Sequence, residues 1–486
     1  MNKITRSLIP ALVILMGTML LFAAACSPGA DKAEAEAGPA PVRLLPEDQV
    51  RMSNDPAKTE LFRDAGLGLF IHWGPNSQLG TEISWPLNNA SDDYVKRYYA
   101  LAETFNPAAF DAAAWARLAK LAGIEYVCFT AKHHDGYAMF DTAYSDFKIT
   151  KSPYGRDIAA AVAEAFRKEG ILLGFYYSPG DFRYQFETGK RFAHLYEPDF
   201  TAEAPFGPLK KGFADYERGQ VEELLTKYGD VFMIWFDGKC EPLKKRSWQV
   251  KQDVFIGRGE IPTPEQEIPG RADDRAWESC MTTSWQWSYQ PNADVRTAAE
   301  VIGNLIHIRA RGGNMLLNIG PRPDGTIAPA DEALLRELGL WMSLYGEGVR
   351  GVRPWTTTNE GNVWLTAKKS DGTVYAFVDL DYGMAGIKSA AGARFTLKSV
   401  KSGPGTKVSV LSQAGGVEWS EDKAGLHITV DRTHTIQLIK TPAALAKARG
   451  DKAPSLAWGP DWPIVVKITN AAAGSAPQAA PAGAGK

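Results

Sequence analysis

Three apolar runs of this chain end in the same way, each closing on a polar, aromatic-flanked group followed by a glycine. Leu69-Phe70-Ile71 leads into His72-Trp73-Gly74, and Tyr126-Val127-Cys128-Phe129-Thr130 leads into Lys132-His133-His134-Asp135-Gly136. Val231-Phe232-Met233-Ile234 continues as Trp235-Phe236-Asp237-Gly238. Short continuous apolar runs are the mark of strands buried on both faces, as in a parallel sheet covered by helices. Polar groups at their ends then gather on one rim, because the carboxyl-terminal mouth of a parallel barrel is the part free of core packing. The pattern predicts a fold that brings His, His-His and Asp to one place.

Up to about Tyr345 such runs alternate with amphipathic stretches at Ala112 to Leu121, Asp157 to Glu169, Gln220 to Tyr228, Ala298 to Ala310 and Ala330 to Trp341. That alternation means βα units. Candidate strands fall at Gly68-Ile71, Tyr126-Thr130, Ile171-Tyr177, Val231-Phe236, Asp253-Ile256, Trp277-Thr282 and Met315-Ile319, with an eighth near Gly351-Trp355. Eight strands close most simply as a barrel. A doubly wound open sheet is the alternative, but no Gly-rich phosphate loop follows the first strand. After Tyr345 the period changes to two, with turn signals between short segments such as Val363-Thr366, Thr373-Phe377, Phe395-Leu397, Lys407-Val410 and Leu426-Val430. The expected fold is α/β: a (β/α)8-like TIM barrel over 44–348, followed by a C-terminal antiparallel β-sandwich over 349–442. Residues 443–486 are expected to be an extension, disordered from Asn470 onward where Ala, Gly and Pro dominate.

The first residues read as an address. Lys3 and Arg6 precede an apolar stretch from Leu8 to Phe22, then Ala23-Ala24-Ala25-Cys26 and a small-residue linker over 27–43. This resembles a bacterial lipoprotein signal, which implies that 1–26 are a signal ending at a lipidated Cys26 and that the protein is exported and anchored to a membrane. Cys128, Cys240 and Cys280 are an odd number near predicted strands and imply no disulfide framework; Cys128 and Cys280 read as buried thiols. A net charge of -2 argues against a nucleic-acid surface.

Asp237 ends a strand whose last apolar residues, Trp235 and Phe236, would wall it with rings. A carboxylate there can attack an anomeric carbon, where oxocarbenium-like charge calls for a nearby anion. A retaining glycosidase needs a second carboxyl group about 5 to 5.5 Å away. The residues leave four candidates open for it: Glu260, Glu265, Glu267 and Glu278. Adjacent histidines on a regular strand point to opposite faces, so His133 and His134 suit hydroxyl binding better than one shared metal ion. His72-Trp73-Gly74 at a barrel mouth likewise points to ligand binding.

Taken in order, Gly66-Leu67-Gly68-Leu69-Phe70-Ile71-His72-Trp73-Gly74-Pro75, Gly80-Thr81-Glu82-Ile83-Ser84-Trp85, Lys132-His133-His134-Asp135-Gly136, Gly174-Phe175-Tyr176-Tyr177-Ser178, Trp235-Phe236-Asp237-Gly238 and Gly312-Gly313-Asn314-Met315-Leu316-Leu317-Asn318-Ile319-Gly320-Pro321 resemble the α-L-fucosidases of glycoside hydrolase family 29. The resemblance spans about Arg51 to Trp355. It implies a retaining, exo-acting, metal-free and cofactor-free enzyme acting on fucosylated oligosaccharides, with Asp237 as nucleophile. His72, Glu82, His133, His134 and Tyr176 match positions that hold fucose hydroxyls, and Trp85 follows Glu82 at an aromatic position. Trp235 and Trp287 match apolar walls, the latter near the C5 methyl. Thr263-Pro264-Glu265 resembles the segment carrying the acid/base, Arg258 its accompanying arginine; Glu278 is the second choice. An α-L-galactoside-specific relative and a non-catalytic fucose-binding lipoprotein are the alternatives.

Overall fold

The computed structural model describes residues 42–189, 212–238, 240–378, 393–411, 417–430 and 462–474. The expected signal with Cys26, nearly all of the linker and the last residues of the tail lie outside these. No helix among the described residues is long and apolar enough to cross a membrane.

Seven parallel strands form one sheet: β1 Leu67–Ile71, β2 Tyr126–Lys132, β3 Leu172–Tyr177, β4 Met233–Phe236, β5 Phe255–Ile256, β6 Glu278–Thr282 and β7 Asn314–Ile319, in the order β5-β4-β3-β2-β1-β7-β6. The helices are α1 Pro56–Ala65, α2 Asp92–Ala100, α3 Ala112–Leu121, α4 Ile158–Lys168, α5 Phe182–Glu187, α6 Phe213–Thr226, α7 Glu241–Val250, α8 Ala298–Ala310 and α9 Pro329–Tyr345. Side chains that satisfy the free N–H groups of the first turn mark several starts: Asp111 accepts from Ala114 and Asp157 from Ala160, and Thr297 with Glu300 forms a reciprocal capping box.

Strand parity divides the apolar residues. Leu69, Val127, Phe129, Phe175, Ile234 and Leu317 face the helices. Phe70, Tyr126, Cys128, Tyr176, Met233, Trp235, Phe255, Cys280 and Leu316 form one inner cluster. Because that cluster joins side chains from β5 and β6, the two edges of the sheet, the sheet is curled into a barrel around it.

The expected eighth strand near Gly351-Trp355 is not a barrel strand. Val352–Glu360 (β8) instead pairs antiparallel with β9 (Val363–Lys368) and opens the second domain. The barrel's remaining gap takes the segment 262–266, which runs alongside β6: Cys280 N–H donates to Pro264 O (3.0 Å) and Gln266 N–H to Cys280 O (2.9 Å). Pro262 and Pro264 lack an N–H, so at these two residues the segment can offer β6 only carbonyls, and it cannot act as a full central strand.

The second domain adds β10 Val374–Val378, β11 Ala393–Leu397, β12 Val400–Val410, β13 Val417–Asp422, β14 Gly425–Val430 and β15 Ile464–Ala473. They form a five-stranded sheet, β12-β15-β10-β9-β8, and a three-stranded sheet, β11-β14-β13, which together make the antiparallel sandwich. Two expectations need correcting. The sandwich does not stop at 442, since β15 lies between β12 and β10, and Asn470 to Ala473 belong to that strand. Pairing of Ala471, Ala472 and Ala473 with Ser402, Lys401 and Val400 of β12 overrides the small-residue composition there. The strand's entry is tied to the barrel: Trp341 Nε1 donates to Pro463 O (3.0 Å) and Trp462 Nε1 to Glu337 Oε1 (2.9 Å).

Candidate active site

Asp237 follows the last residue of β4, at the barrel mouth. Its Oδ2 accepts from the Tyr176 hydroxyl (2.8 Å) and faces His134 Nε2 (3.2 Å), while its Oδ1 accepts from Arg258 Nη1 (2.9 Å). Burial alone would push this carboxyl up, but the hydrogen bond and charge of His134 and then the Arg258 guanidinium hold it well below the usual carboxylate range. The result is a desolvated, ionised oxygen pair aimed by two hydrogen-bond donors, with the His134 ring beside it.

Arg258 is itself fixed. Nε donates to Thr263 Oγ1 (2.8 Å), Nη2 to Thr263 O (3.0 Å), and the guanidinium lies 4.3 Å over the Trp235 ring. The same Nη1 that meets Asp237 also meets Glu265 Oε1. One guanidinium nitrogen therefore touches two carboxylates. Glu265 stands on the segment paired with β6, and its side chain is 46% exposed, so it is open to solvent and to a leaving group.

The remaining wall is aromatic and imidazole. Tyr176 stacks on Trp235 (5.3 Å) and on His133 (5.2 Å), Phe70 meets Trp235 edge-on, and Trp287 stands 5.1 Å from His72. His72 Nδ1 bonds Asn318 Oδ1 (2.6 Å), and Asn318 Nδ2 donates to Trp287 O (2.7 Å). The amide is thus oriented so that Nδ1 of His72 donates, leaving Nε2 as an acceptor. Burial lowers the His72 imidazole to about 4 and holds His133 well below its ordinary value. Both rings are neutral at ordinary pH. His133 Nδ1 bonds Ser84 Oγ (2.7 Å), and His134 Nδ1 bonds Ser178 Oγ.

Glu82 accepts from the backbone N–H groups of Ile83 (3.0 Å), Trp287 (2.8 Å) and Ser288 (3.1 Å), which locks the Trp287 loop onto the site; burial raises its carboxyl against those bonds. Trp85 is at the rim, 40% exposed, with its ring edge on His134.

Three expectations change. Trp73 does not line the site: parity turns it outward from His72, and it packs against Phe105 and Trp115 with its Nε1 donating to Arg322 O (3.0 Å). Glu278 opens β6, at the opposite end of a strand from the mouth. Sealed under Trp235, it accepts from Trp235 Nε1 (2.8 Å) and the Tyr126 hydroxyl (2.8 Å), and burial pushes it up to about 7. It has no path to a substrate. Finally, His133 and His134 do not point to opposite faces. β2 ends at Lys132, and the chain turns through Gly136 (φ 81°), where a Cβ would meet the Asp181 carboxylate at 2.6 Å, so both rings face inward with centroids 4.3 Å apart. His133, His134 and Asp237 thereby bring one ligand atom each within 4.8 Å of one another. Arg258 already supplies a positive charge to that carboxylate, so a metal cation there would meet like-charge repulsion.

Asn318, Ser84, Ser178 and Phe70 are site residues that sequence reasoning passed over. Asn318 carried a legible signal, being a polar residue near the end of the apolar run of β7. The two serines act through imidazole nitrogens and leave no pattern of their own.

A family profile described as Alpha-L-fucosidase matches residues 47–347, which includes the whole barrel. The chain is 28% identical over 454 residues to the tissue alpha-L-fucosidase of Rattus norvegicus, covering 84% of this chain and 90% of that one. It is also 28% identical over 366 residues to the alpha-L-fucosidase of Dictyostelium discoideum, with 65% and 77% covered. Alpha-L-fucosidase isoenzyme 1 from Paenibacillus thiaminolyticus superposes with a TM-score of 0.66 at 25% identity, over 87% of this chain and 99% of that one. A Bacteroides thetaiotaomicron GH29 alpha-L-fucosidase shares the fold at a TM-score of 0.66 and 22% identity, over 86% and 97%.

Proposed function

The chain belongs to the α-L-fucosidase family, and from that premise we propose that Asp237 is the nucleophile and Glu265 the acid/base of a retaining, exo-acting α-L-fucosidase. The enzyme hydrolyses terminal α-L-fucosyl linkages. The observation that carries the residue roles is the shared contact of Asp237 and Glu265 with Arg258 Nη1. Two oxygens bonded to one nitrogen stand no more than two hydrogen-bond lengths apart, about 6 Å. That fits the roughly 5 to 5.5 Å of retaining pairs and falls short of the roughly 6.5 to 9.5 Å that inverting pairs need for a water.

Asp237 attacks the anomeric carbon while Glu265 gives its proton to the departing glycosidic oxygen, so an ester forms and an alcohol leaves. Asp237 loses its charge as Glu265 gains one. Arg258, touching both, keeps one carboxylate counter-ion throughout the exchange. Water then attacks the ester-bound carbon, giving its proton to Glu265 and freeing Asp237. His72, with Nε2 as acceptor, and the His133, His134, Glu82 and Tyr176 side chains hold the sugar hydroxyls. Phe70, Trp235 and Trp287 supply apolar surface for the C5 methyl, a preference over L-galactosides of about 1 to 3 kcal/mol. Both carboxylates being present and coupled supports a working enzyme over a degenerate binding protein.

The test is hydrolysis of an aryl α-L-fucoside by residues 27–486, following the anomer of the first-formed sugar by NMR. Release of α-fucose that vanishes in a folded Asp237→Gly variant is expected; ordinary turnover by that variant would sink the assignment. The substrate partner is a fucosylated oligosaccharide or glycoconjugate, and the signal pattern at 1–26 supports export with a lipid on Cys26. Labelled palmitate that enters the wild type and not Cys26→Ala checks the anchor; equal labelling removes it.

A further inference from the structure

Ser84 is fully buried, and its backbone stands at φ 60° and ψ −41° while the Trp85 N–H reaches back across it to Ile83 O (2.6 Å). That is the positive-φ form of the γ-turn, rare and strained for a residue with a Cβ. Glycine would fit the turn better. A serine in this place points to a task for its hydroxyl.

Two neighbours hold Ser84. Its N–H donates to the Tyr98 hydroxyl oxygen (3.0 Å), and the Tyr98 hydroxyl donates to Asp135 Oδ2 (3.0 Å). In return the Asp135 N–H donates to Ser84 Oγ (2.8 Å). This closed ring of bonds decides where each proton goes. Burial pushes the Asp135 carboxyl up to about 6, so above that pH it is ionised and can only accept. Tyr98 therefore spends its proton on Asp135, and Ser84 Oγ spends a lone pair on the Asp135 N–H. The Ser84 hydroxyl proton is left over, and its one acceptor among the described residues is His133 Nδ1 (2.7 Å).

A neutral imidazole carries one proton, and a nitrogen that accepts cannot hold it. Burial keeps His133 neutral. Its proton therefore sits on Nε2, which no hydrogen bond of the described residues occupies. His72 is the reverse, because Asn318 takes its Nδ1 proton and leaves Nε2 to accept. The two rings, 5.5 Å apart centre to centre, thus present opposite polarity to a ligand. A hydroxyl can serve both, giving a proton to one and taking a proton from the other; an ether oxygen or a fluorine cannot.

We propose, on the fucosidase reading, that Ser84 is a positioning residue whose hydroxyl, locked by Tyr98 and Asp135, fixes the Nε2–H tautomer of His133, so that this ring donates to a fucose oxygen. The direct test is 15N NMR of the folded wild type with labelled histidine at pH 8, since protonated and bare ring nitrogens differ widely in shift; His133→Gln identifies the His133 signals. The proton should lie on Nε2, and a proton on Nδ1 overturns the proposal. Ser84→Gly removes the hydroxyl and eases the turn, so it folds even where Ser84→Ala, which keeps the strain, does not. In Ser84→Gly the His133 signals should become those of a tautomer mixture, and kcat/KM on an aryl α-L-fucoside should fall about tenfold, the worth of one hydrogen bond. On one of the three monodeoxy analogues of that fucoside the ratio of wild type to Ser84→Gly should shrink about threefold or more, because the bond from His133 is already absent there. Equal ratios on all three analogues, or a tautomer that Ser84→Gly leaves unchanged, overturn the role. A wild type inert on the aryl fucoside would strike the fucosidase reading, and the nitrogen shifts, read on the free enzyme, would still decide Ser84.

Discussion

Glu278→Gln separates the two carboxyl groups that sequence alone put forward for proton transfer. Glu278 is fully buried, and its carboxyl is pushed up to about 7 from an ordinary 4.5. The folded protein thus binds a proton there that the unfolded chain has released, and its stability is fully present below pH 4.5 and falls as pH rises to about 7. The difference, about two and a half pH units at about 1.4 kcal/mol each, is on the order of 3 kcal/mol. Glutamine never ionises, and its oxygen can still accept from Trp235 Nε1 while its amide donates to the Tyr126 oxygen. The stability of wild type minus variant should therefore drop by on the order of 3 kcal/mol between about pH 4.5 and pH 8, the variant being the more stable at the alkaline end. Urea unfolding followed by tryptophan fluorescence at both ends of that range reads this directly. Turnover should survive, because the carboxyl group lies under Trp235 and touches no substrate. Parallel stability profiles would refute the burial argument, and a loss of turnover with poor leaving groups would return Glu278 to the acid/base role.

Glu265→Gln should lose about 10²- to 10⁴-fold in kcat on substrates with poor leaving groups and far less on activated ones; added azide should restore turnover and yield a fucosyl azide of unchanged anomeric configuration, seen by NMR. Tyr176→Phe removes one donor from Asp237 Oδ2 and should lower kcat/KM by about 10- to 100-fold, the worth of a hydrogen bond to a charged group, with a melting temperature close to wild type. Trp73→Ala should cost about 3 to 5 kcal/mol of stability in denaturant unfolding, yet leave KM unchanged at a temperature where the protein is folded.

What the sequence disclosed about the site follows strand position. Asp237, His133 and His134 sit just past the ends of apolar runs, and a run's end is where a parallel barrel exposes polar groups, so their convergence was readable. Trp73 misled because adjacency to His72 is no guide to direction: one residue along an extended chain reverses the face. Glu278 misled for a related reason, since it starts its strand and a carboxylate at the start belongs to the barrel floor. The choice of Glu265 rests on resemblance, because a glutamate in the proline-interrupted stretch Pro262 to Pro269 has no periodicity to read. The eighth barrel strand is expected near Gly351-Trp355 from the count of βα units; the antiparallel partner β9 decides otherwise. β15 was missed because alanines and a glycine follow its apolar half, and composition cannot see the two neighbours that pair with it.

The position of β15 has a bearing on how the protein is made. It is synthesised after every other described strand and helix, yet it is interior to its sheet, and its entry is bonded to α9 through Trp341 and Trp462. During translation the barrel residues, up to Tyr345, can emerge and collapse while β10 and β12 still lack the strand between them. Until then, two strand edges that are normally covered stay open to mispairing. The emergence of β15 therefore fills its sheet and adds the Trp341 and Trp462 ties to those that Arg353 and Lys369 already make with Glu60 and Asp64 of α1, seating the second domain on the barrel without touching a single catalytic group.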